Sequence, residues 1–279
     1  QNQSTATSMP PPEALTTAAK AHGRWLPSQV LKGPEQMALD VLLLENSLNA
    51  AQPVPSLRFY SWQGPWLSLG FHQHSVPEHW QALAEAGHLQ MVRRPSGGGA
   101  VLHGSGLTYA LVWPEPPRKR HQAYEQTCRW LMHGFEELGL PLGFGQQPCR
   151  SIADNCFAAS SVADLVDLHG QKRIGSAQLW RRGQLLQHGE ILLDPPQHLW
   201  RQVFGSQAPR PAPAEIPRQG LAMHLRAAME KTLPELNWQE QELSPAELQR
   251  VKALSIHYCL GSESSGSSTS PEASMDSAT

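Results

Sequence analysis

The sequence lacks several features that mark common functional classes. No apolar run approaches the roughly 18 residues that a membrane-spanning helix needs, so we expect no membrane partner. The charge is nearly balanced, with 22 Lys and Arg residues against 24 Asp and Glu residues and a formal net charge of −2. This balance argues against a broad electrostatic binder of nucleic acid, although a local basic patch is compatible with it.

Cysteine is scarce, and no two cysteines form a C-x-x-C pair. The four in 279 residues are Cys128, Cys149, Cys156 and Cys259. Their spacing argues against a zinc ribbon and against a thioredoxin-like site. Residues 1–20 do not show the basic and then apolar pattern of a secretion signal. We therefore expect a cytoplasmic protein with reduced thiols.

Nucleotide and metal signatures are weak as well. No G-x-G-x-x-G opens a helix and no G-x-x-x-x-G-K-S/T occurs, so the Rossmann and P-loop interpretations have little support. His72, His74 and His79 are close in sequence but have no accompanying carboxylate pattern. We expect no metal site.

Composition divides the chain into three parts. Residues 1–21, which are rich in Ser, Thr, Ala and Pro, are predicted to be a disordered leader, and the Ser- and Gly-rich residues 261–279 a disordered tail. Residues 22–260 are predicted to form one folded domain, without internal repeats.

Periodicity gives the fold class. Apolar residues at helical spacing predict helices over 34–45, 77–86, 121–138, 197–204 and 220–231, and the folded chain from residue 197 onward is predicted to be helical. The last helix starts at Ser244, where Ser-Pro-Ala-Glu combines a capping box with proline at the first helical position. Alternation predicts strands over 57–62, 66–70, 89–92, 107–113, 163–168, 172–180 and 184–193. Strands in the middle with helices before and after favour an α+β domain, in which helices flank a mixed, mainly antiparallel sheet.

One glycine-rich stretch is the strongest candidate for a ligand site. It reads Arg93-Arg94-Pro95-Ser96-Gly97-Gly98-Gly99-Ala100-Val101-Leu102-His103. Ordering three consecutive glycines costs conformational entropy, which a chain accepts where its backbone turns tightly or approaches a ligand closely. A glycine-rich hairpin turn between the flanking strands is the alternative interpretation.

Other residues further along the chain are candidates for chemistry. Cys156 lies in a small polar loop without helical periodicity, and it is a nucleophile if a neighbouring cation stabilises its thiolate; otherwise it is an incidental loop residue. Lys172 starts a strand and is either solvated or functional. Gly175 within that strand suggests close approach by a ligand, and His188 is nearby if a hairpin pairs across residues 182–183. Cys128 lies on an apolar helical stripe and is predicted to be a core residue.

Three segments together match one family pattern. Residues 93–103 resemble the R-R-x-S/T-G-G-G-A-V-x-H signature of the lipoate/biotin protein ligase and octanoyltransferase superfamily. Residues 172–178 and 187–189 resemble its K-x-x-G-S-A-Q and H-G segments, and residues 57–70 resemble its L-R-x-Y-x-W and S-L-G segments. The resemblance covers about residues 24–258 and implies the biotin/lipoate protein ligase catalytic-domain fold.

The resemblance also implies a site. In the family the glycine loop and the lysine line a tunnel for a lipoyl, octanoyl or biotinyl chain, and the product is an amide on a target lysine. It implies Cys156 and Lys172 as catalytic residues. The substrate-binding residues that it implies are Arg93, Arg94, Ser96, Gly97, Gly98, Gly99, Ala100, His103, Gly175, Ser176, Ala177, Gln178, His188 and Gly189.

The residues after the glycines indicate a branch of the family. ATP-dependent lipoate ligases typically continue as H-D-x-G-N-L, whereas here Leu107 follows His103 one residue sooner and no asparagine intervenes. This spacing resembles the H-x-x-E-L-T-Y of LipM-type octanoyltransferases, which also carry a nucleophilic cysteine in a C-F loop, as in Cys156-Phe157. Two features depart from the pattern of that branch. Gly99 is often arginine there, and the residues after Phe157 match the branch's usual continuation poorly.

The resemblance therefore implies octanoyl transfer from acyl carrier protein, through a Cys156 acyl-enzyme, to a lipoyl-domain lysine. The acceptor would be a protein such as the glycine cleavage H protein or a 2-oxoacid dehydrogenase E2, and no cofactor is expected. The alternative is an ATP-dependent lipoate or biotin ligase, which uses ATP, Mg and an acyl-adenylate. A non-catalytic relative is a third interpretation.

Overall fold

The computed structural model describes residues 21–145 and 164–260. The strands are β1 Ala21–Leu26, β2 Ser56–Tyr60, β3 Trp66–Leu69, β4 Gln90–Arg93, β5 Val101–His103, β6 Leu107–Trp113, β7 Gly143–Phe144, β8 Leu165–Val166, β9 Lys172–Arg181, β10 Gln184–Ile191 and β11 Leu236–Glu240. The helices are α1 Gly33–Asn49, α2 Glu78–Glu85, α3 Arg120–Glu137, α4 Gln197–Phe204, α5 Leu221–Thr232 and α6 Pro245–Ser255, and a 3-10 turn Ile256–Tyr258 follows. In these ranges no helix is both long and apolar enough to cross a bilayer.

The main sheet has eight strands in the order β11-β1-β2-β6-β10-β9-β8-β7. Strand β1 pairs in parallel with both of its neighbours, β11 and β2. Every other neighbouring pair in this sheet is antiparallel. The predicted α+β class, with a mixed and mainly antiparallel sheet flanked by helices, is confirmed.

The central strand β10 presents different residues to the two faces of this sheet, because successive side chains of a strand alternate. His188 bonds to Asp40 of α1, whereas Gln187 bonds to Thr127 of α3. Each face has its own apolar core. Phe59, Tyr109, Trp130, Leu131 and Ile174 belong to the core on the α3 side, and Leu39, Leu42, Leu43, Ala110 and Val112 to the core on the α1 side.

A two-residue turn joins β9 to β10. Arg182 and Gly183 have φ values of 47° and 79°. Two positive φ values are typical of a type I′ hairpin turn, which matches the twist of the strands that it joins. The resulting register pairs Ala177 with His188 and Ser176 with Gly189. The predicted pairing across residues 182–183 is confirmed.

A second sheet holds the glycine-rich stretch. Its order is β4-β3-β5, with β3 parallel to β4 and antiparallel to β5. The glycines therefore connect two strands on opposite sides of β3, and β6 belongs to the main sheet. The alternative interpretation as a hairpin turn between the flanking strands is wrong, because those strands are not partners.

The helix starts are largely as predicted, and the last strand is not. The Ser244 hydroxyl accepts from the Glu247 backbone N–H at 3.2 Å, and the Glu247 carboxylate accepts from the Ser244 N–H at 2.9 Å. This confirms the predicted capping box. The prediction that the chain is helical after residue 197 is wrong for β11, which pairs with β1. Only Leu236 and Trp238 alternate there, so the local pattern is too short to mark a strand.

Candidate active site

Arg94 folds the glycine loop, which we define as residues 94–100. Its side chain is buried, and its Nη1 donates to the Ser68 carbonyl at 3.0 Å. Its Nη2 donates to the carbonyls of Gly97 and Gly99, both at 2.7 Å. A guanidinium suits this task because its donors form a planar fork. Arg94, predicted to bind substrate, thus shapes the loop backbone in this structure.

Arg93 and Gly70 lie beside the same loop, where β3 ends. Arg93 Nη1 donates to the carbonyls of Gly70 and Gln73, at 3.2 and 2.6 Å. A Cβ added at Gly70 would lie 1.9 Å from the Gly98 carbonyl oxygen. Gly98 itself has a φ of 93°, which favours glycine. The glycine loop therefore packs backbone to backbone against the end of β3.

Ser96 ties the glycine loop to the main sheet. Its Oγ lies 2.5 Å from His188 Nε2, and His188 Nδ1 lies 2.9 Å from Asp40 Oδ2. All three side chains are buried, with at most 5% of each residue exposed. The chain of contacts connects the glycine loop, strand β10 and helix α1, so two of the predicted motif segments meet at this point.

The partners of Asp40 decide how protons are arranged in this chain. Asp40 Oδ2 also accepts from the Tyr60 hydroxyl at 2.9 Å, and the Arg58 guanidinium lies 3.6 Å from Oδ1. A carboxylate only accepts hydrogen bonds, so His188 Nδ1 must donate. In a neutral imidazole Nε2 then accepts, and the Ser96 hydroxyl donates. Burial and the Asp40 charge raise the pKa of Tyr60, which keeps it a donor.

His103 forms a second chain of the same kind. Its Nε2 lies 2.8 Å from Ser68 Oγ, and its Nδ1 lies 2.8 Å from Glu190 Oε2. The same carboxylate oxygen accepts from Thr108 Oγ1 at 2.5 Å, and Thr108 Oγ1 accepts from Trp62 Nε1 at 2.7 Å. The Trp62 ring stacks on the imidazole with centroids 4.2 Å apart. His103 is therefore fixed in both position and tautomer.

The opposite face of the sheet carries a network of neutral groups. The Tyr109 hydroxyl lies 2.7 Å from Ser176 Oγ and accepts from Gln187 Nε2 at 2.8 Å. Gln187 Oε1 accepts from Gln178 Nε2 at 2.7 Å. A Cβ at Gly189 would lie 2.6 Å from Ser176 Oγ and 2.7 Å from the Tyr109 ring, so only glycine leaves room for this contact. Burial raises the pKa of Tyr109 far above its usual range.

A cleft opens beside this network. Its volume is about 480 Å³, and its lining includes Arg120, His121, Tyr124, Phe144, Gln178 and Trp180. Trp180 Nε1 donates to Gln178 Oε1 at 2.9 Å, and the Tyr124 hydroxyl donates to the Ser176 carbonyl. Aromatic surface with a few fixed polar groups is typical of ligand clefts. The cleft thus reaches the predicted motif residue Gln178, and Tyr124 of its lining contacts Ser176.

Lys172 is buried and paired. Its Nζ lies 2.9 Å from Asp164 Oδ2, with 5% and 7% of the two side chains exposed. The attraction to Asp164 offsets the desolvation cost of burying the Lys172 ammonium group, whereas an unpaired buried charge would bear that cost in full. The interpretation of Lys172 as a solvated surface lysine is wrong. Cys128 is also buried, as predicted, and burial raises the pKa of its thiol to about 12.

The structure divides the predicted site residues between the two sheet faces. Directly paired residues share a face, so Gly175 and Ala177 lie on the α1 side with His188. The predicted residues on the α3 side are Ser176, Gln178 and Gly189. Ala100 is buried at the end of the glycine loop. The predicted nucleophile Cys156 lies outside the described residues.

Sequence reasoning missed the two acids that hold the histidines. Asp40 lies among apolar residues on α1, between Leu39 and Val41, and a single acid inside such a run was a usable signal. Glu190 directly follows the H-G segment in an otherwise apolar strand end. Both acids are buried, with 0% and 2% of each residue exposed, and both contact a motif histidine.

Comparison with known proteins assigns the family. The protein-family model of the lipoyl protein ligase A/B catalytic domain matches residues 32–240 of this chain. This chain belongs to that family. The resemblance seen in the motifs is therefore confirmed.

Curated relatives share a name. A Symbiobacterium thermophilum protein named octanoyltransferase LipM is 38% identical over 171 residues, which cover 58% of this chain and 62% of that protein. A Halalkalibacterium halodurans protein of the same name is 36% identical over 173 residues, which cover 57% of this chain and 61% of that protein. The match therefore spans less than two thirds of the length of these two relatives.

A solved structure supports the fold. A candidate lipoate protein ligase of T. acidophilum, solved with bound lipoic acid, has a TM-score of 0.70 and 20% identity. The likeness covers 85% of this chain and 95% of that chain. At this identity the likeness shows the fold, and the predicted ligase-type catalytic fold is confirmed.

Proposed function

We propose that the protein transfers an octanoyl group from an acyl carrier protein to the lysine of a lipoyl domain. The observation that carries the proposal is the 2.5 Å contact of Ser96 with His188, which joins two motif segments distant in the chain. The relatives named octanoyltransferase LipM support the acyl group and the reaction class. The acceptor would be a protein such as the glycine cleavage H protein or a 2-oxoacid dehydrogenase E2.

Two acyl transfers make up the proposed reaction. The Cys156 thiolate attacks the carrier thioester, a new thioester forms on Cys156, and the carrier leaves as a thiolate that takes a proton from solvent. The neutral lysine amine of the acceptor then attacks this thioester, the amide forms as the nitrogen loses one proton to solvent, and Cys156 leaves as a thiolate. A thioester drives amide formation without further activation, so the proposal includes no ATP, metal or other cofactor.

Lys172 is proposed to stabilise charge during both transfers. Its ammonium would interact with the thiolate and with the oxygen that becomes negative when the carbonyl is attacked. The buried pair with Asp164 supports this role because it holds the ammonium in one position at 2.9 Å. Asp164 follows Cys156 by only eight residues in the sequence.

Replacement of the nucleophile tests the proposal. Cys156→Ala should lower transfer of octanoyl from carrier protein to a lipoyl domain by at least about 10³-fold. Cys259→Ala is the matched control, because Cys259 is exposed, and it should retain the wild-type rate. Peptide mass spectrometry after incubation with octanoyl-carrier protein alone should find the octanoyl group on Cys156. Undiminished transfer by Cys156→Ala would exclude the covalent route.

The role of Lys172 requires a variant that separates activity from stability. Lys172→Met leaves Asp164 buried without its partner, so a loss of stability is expected together with a loss of activity. The double variant Lys172→Met/Asp164→Asn removes both charges and should recover stability in urea unfolding. Its transfer rate should stay at least about 10²-fold below wild type. Recovery of activity together with stability would show that Lys172 is only structural.

Two outcomes would replace the proposal. Pyrophosphate exchange that depends on free octanoate or lipoate would identify an ATP-dependent ligase acting through an adenylate. Absence of both acylated Cys156 and adenylate formation would identify a relative that binds without turnover.

A further inference from the structure

A run of cations marks the start of α3. Arg118, Lys119, Arg120 and His121 are consecutive, and all four are exposed. In the part of the chain that the structure describes, none of the four forms an ion pair or a side-chain hydrogen bond. The whole chain has a formal net charge of −2, so this run is a local excess of positive charge.

Several other surface cations of the protein are paired with acids. The pairs are Arg129 with Glu125, Arg218 with Asp194, Lys231 with Glu137, and Arg250 with Glu45. Glu125 lines the same cleft as Arg120 and His121, but it pairs with Arg129, so no side chain of the 118–121 run has an acid as its partner in the part of the chain that the structure describes. An unpaired basic patch attracts acidic partners and accelerates their association.

The run also opposes the stability of the helix that it starts. The first turn of α3 contains no acidic residue, and its N-cap residue makes no side-chain hydrogen bond to the helix. Cations near a helix N-terminus are unfavourable, because the macrodipole is positive there. The stability of α3 therefore does not explain why four basic residues stand at this position.

The run adjoins the cleft that reaches the candidate site. Arg120 and His121 belong to both, and Gln178 of the motif lines the same cleft together with Trp180. A partner held at the run would lie beside an opening of about 480 Å³ that leads to Gln178. This position suits a partner that delivers a substrate into the site.

We propose that residues 118–121 are the docking surface for the acidic carrier protein that brings the acyl donor. The proposal rests on the proposed function, since it needs a carrier-bound donor. The donor is the partner whose chemistry fits: its prosthetic arm carries a phosphate, which guanidinium groups bind well. The acceptor presents a lysine amine, which offers the guanidinium groups of this run no phosphate to bind.

A charge reversal tests the docking surface. Arg118→Glu/Lys119→Glu should raise KM for octanoyl-carrier protein by about 10-fold at about 0.05 M salt, and the effect should shrink at about 0.3 M salt. The KM for the lipoyl-domain acceptor should change less than about 2-fold. The matched control Arg201→Glu/Lys252→Glu reverses two exposed cations that lie elsewhere, and it should behave as wild type.

A minimal donor separates docking from damage to the site. With octanoyl-pantetheine, which has neither the phosphate nor the carrier protein, Arg118→Glu/Lys119→Glu should match wild type in kcat/KM. Equal losses with this donor, a rise in the acceptor KM instead of the donor KM, or equal effects in the control variant would each overturn the proposal.

Direct binding keeps the inference testable if no transfer occurs. Fluorescence anisotropy of labelled carrier protein should show weaker binding to Arg118→Glu/Lys119→Glu than to wild type. If the variant binds carrier protein more weakly than wild type does but wild type transfers nothing, the proposed function fails and the docking surface stands. If wild type transfers octanoyl and the variant binds the carrier equally well, the docking surface fails and the proposed function stands.

Discussion

The close approach of Gly70 to Gly98 gives a quantitative test of how the glycine loop is held. In Gly70→Ala the new Cβ would start 1.9 Å from the Gly98 carbonyl oxygen, whereas real Cβ contacts are rarely shorter than 3.0 Å. The loop backbone or β3 must therefore move by more than about 1 Å. Because the contact is with backbone, no side-chain rotation relieves it. The shift would also disturb the hydrogen bonds from Arg94 to Gly97 and Gly99.

Overpacking of this kind costs about 1–3 kcal/mol. Weakening one charge-assisted hydrogen bond of Arg94 adds about 1.5–3 kcal/mol. We expect Gly70→Ala to lower the free energy of unfolding by roughly 3–5 kcal/mol in urea titrations. Transfer activity should fall about 10²-fold, since a 1 Å displacement of site residues has effects of that size.

Gly97→Ala is the matched control within the same loop. Neither Gly70 nor Gly97 has a positive φ, and a Cβ at Gly97 would approach only His72, at 3.9 Å. Its unfolding free energy should stay within about 1 kcal/mol of wild type. If Gly70→Ala is as stable as Gly97→Ala, the backbone packing described for the glycine loop is wrong.

Two further predictions concern groups away from this loop. Burial raises the pKa of the Cys128 thiol to about 12. Iodoacetamide at about pH 8 should therefore modify the exposed Cys259 and leave Cys128 unmodified, as read by peptide mass spectrometry. Equal modification of both cysteines would contradict the burial of Cys128. The hydrogen bond from Arg218 lowers the pKa of Asp194 in the folded protein. The Asp194 carboxylate therefore stabilises the fold at pH values above its unfolded pKa of 3.8. This stabilisation is lost as the pH falls through the lower pKa of the folded state. Asp194→Asn should therefore make the free energy of unfolding less dependent on pH between about pH 5 and pH 3. The difference should be at most about 0.5 kcal/mol, because the pair of Arg218 with Asp194 is largely exposed. An effect of several kcal/mol would contradict the exposed geometry.

The sequence predicts those elements whose signals are local. The capping box at Ser244, the alternating β6 strand and the turn at Arg182 and Gly183 are each encoded within a few neighbouring residues, and the structure contains all three. Strands β1 and β11 were missed because they stabilise each other across more than 200 residues of chain. A strand with two alternating apolar residues becomes recognisable only through its partner.

The candidate site was predictable in part for a similar reason. The motif histidines could be found from the residues around them, but the acids that orient them could not. Asp40 reaches His188 only because α1 packs against one face of β10, and this contact depends on topology. Sequence periodicity assigns Asp40 to a helix and does not reveal which strand lies beneath it.

The turn at Arg182 and Gly183 has a consequence for the whole site. Side chains of β10 alternate between the two sheet faces, and the turn fixes the register of this strand. A slip of one residue would carry His188 and Glu190 to the α3 side. Gln187 and Gly189 would then face α1 in their place. Both histidine chains would then lose their partners without any substitution inside them. The length of this two-residue turn thus determines which face of the sheet each side chain of β10 occupies, and the site depends on it as well as on its buried residues.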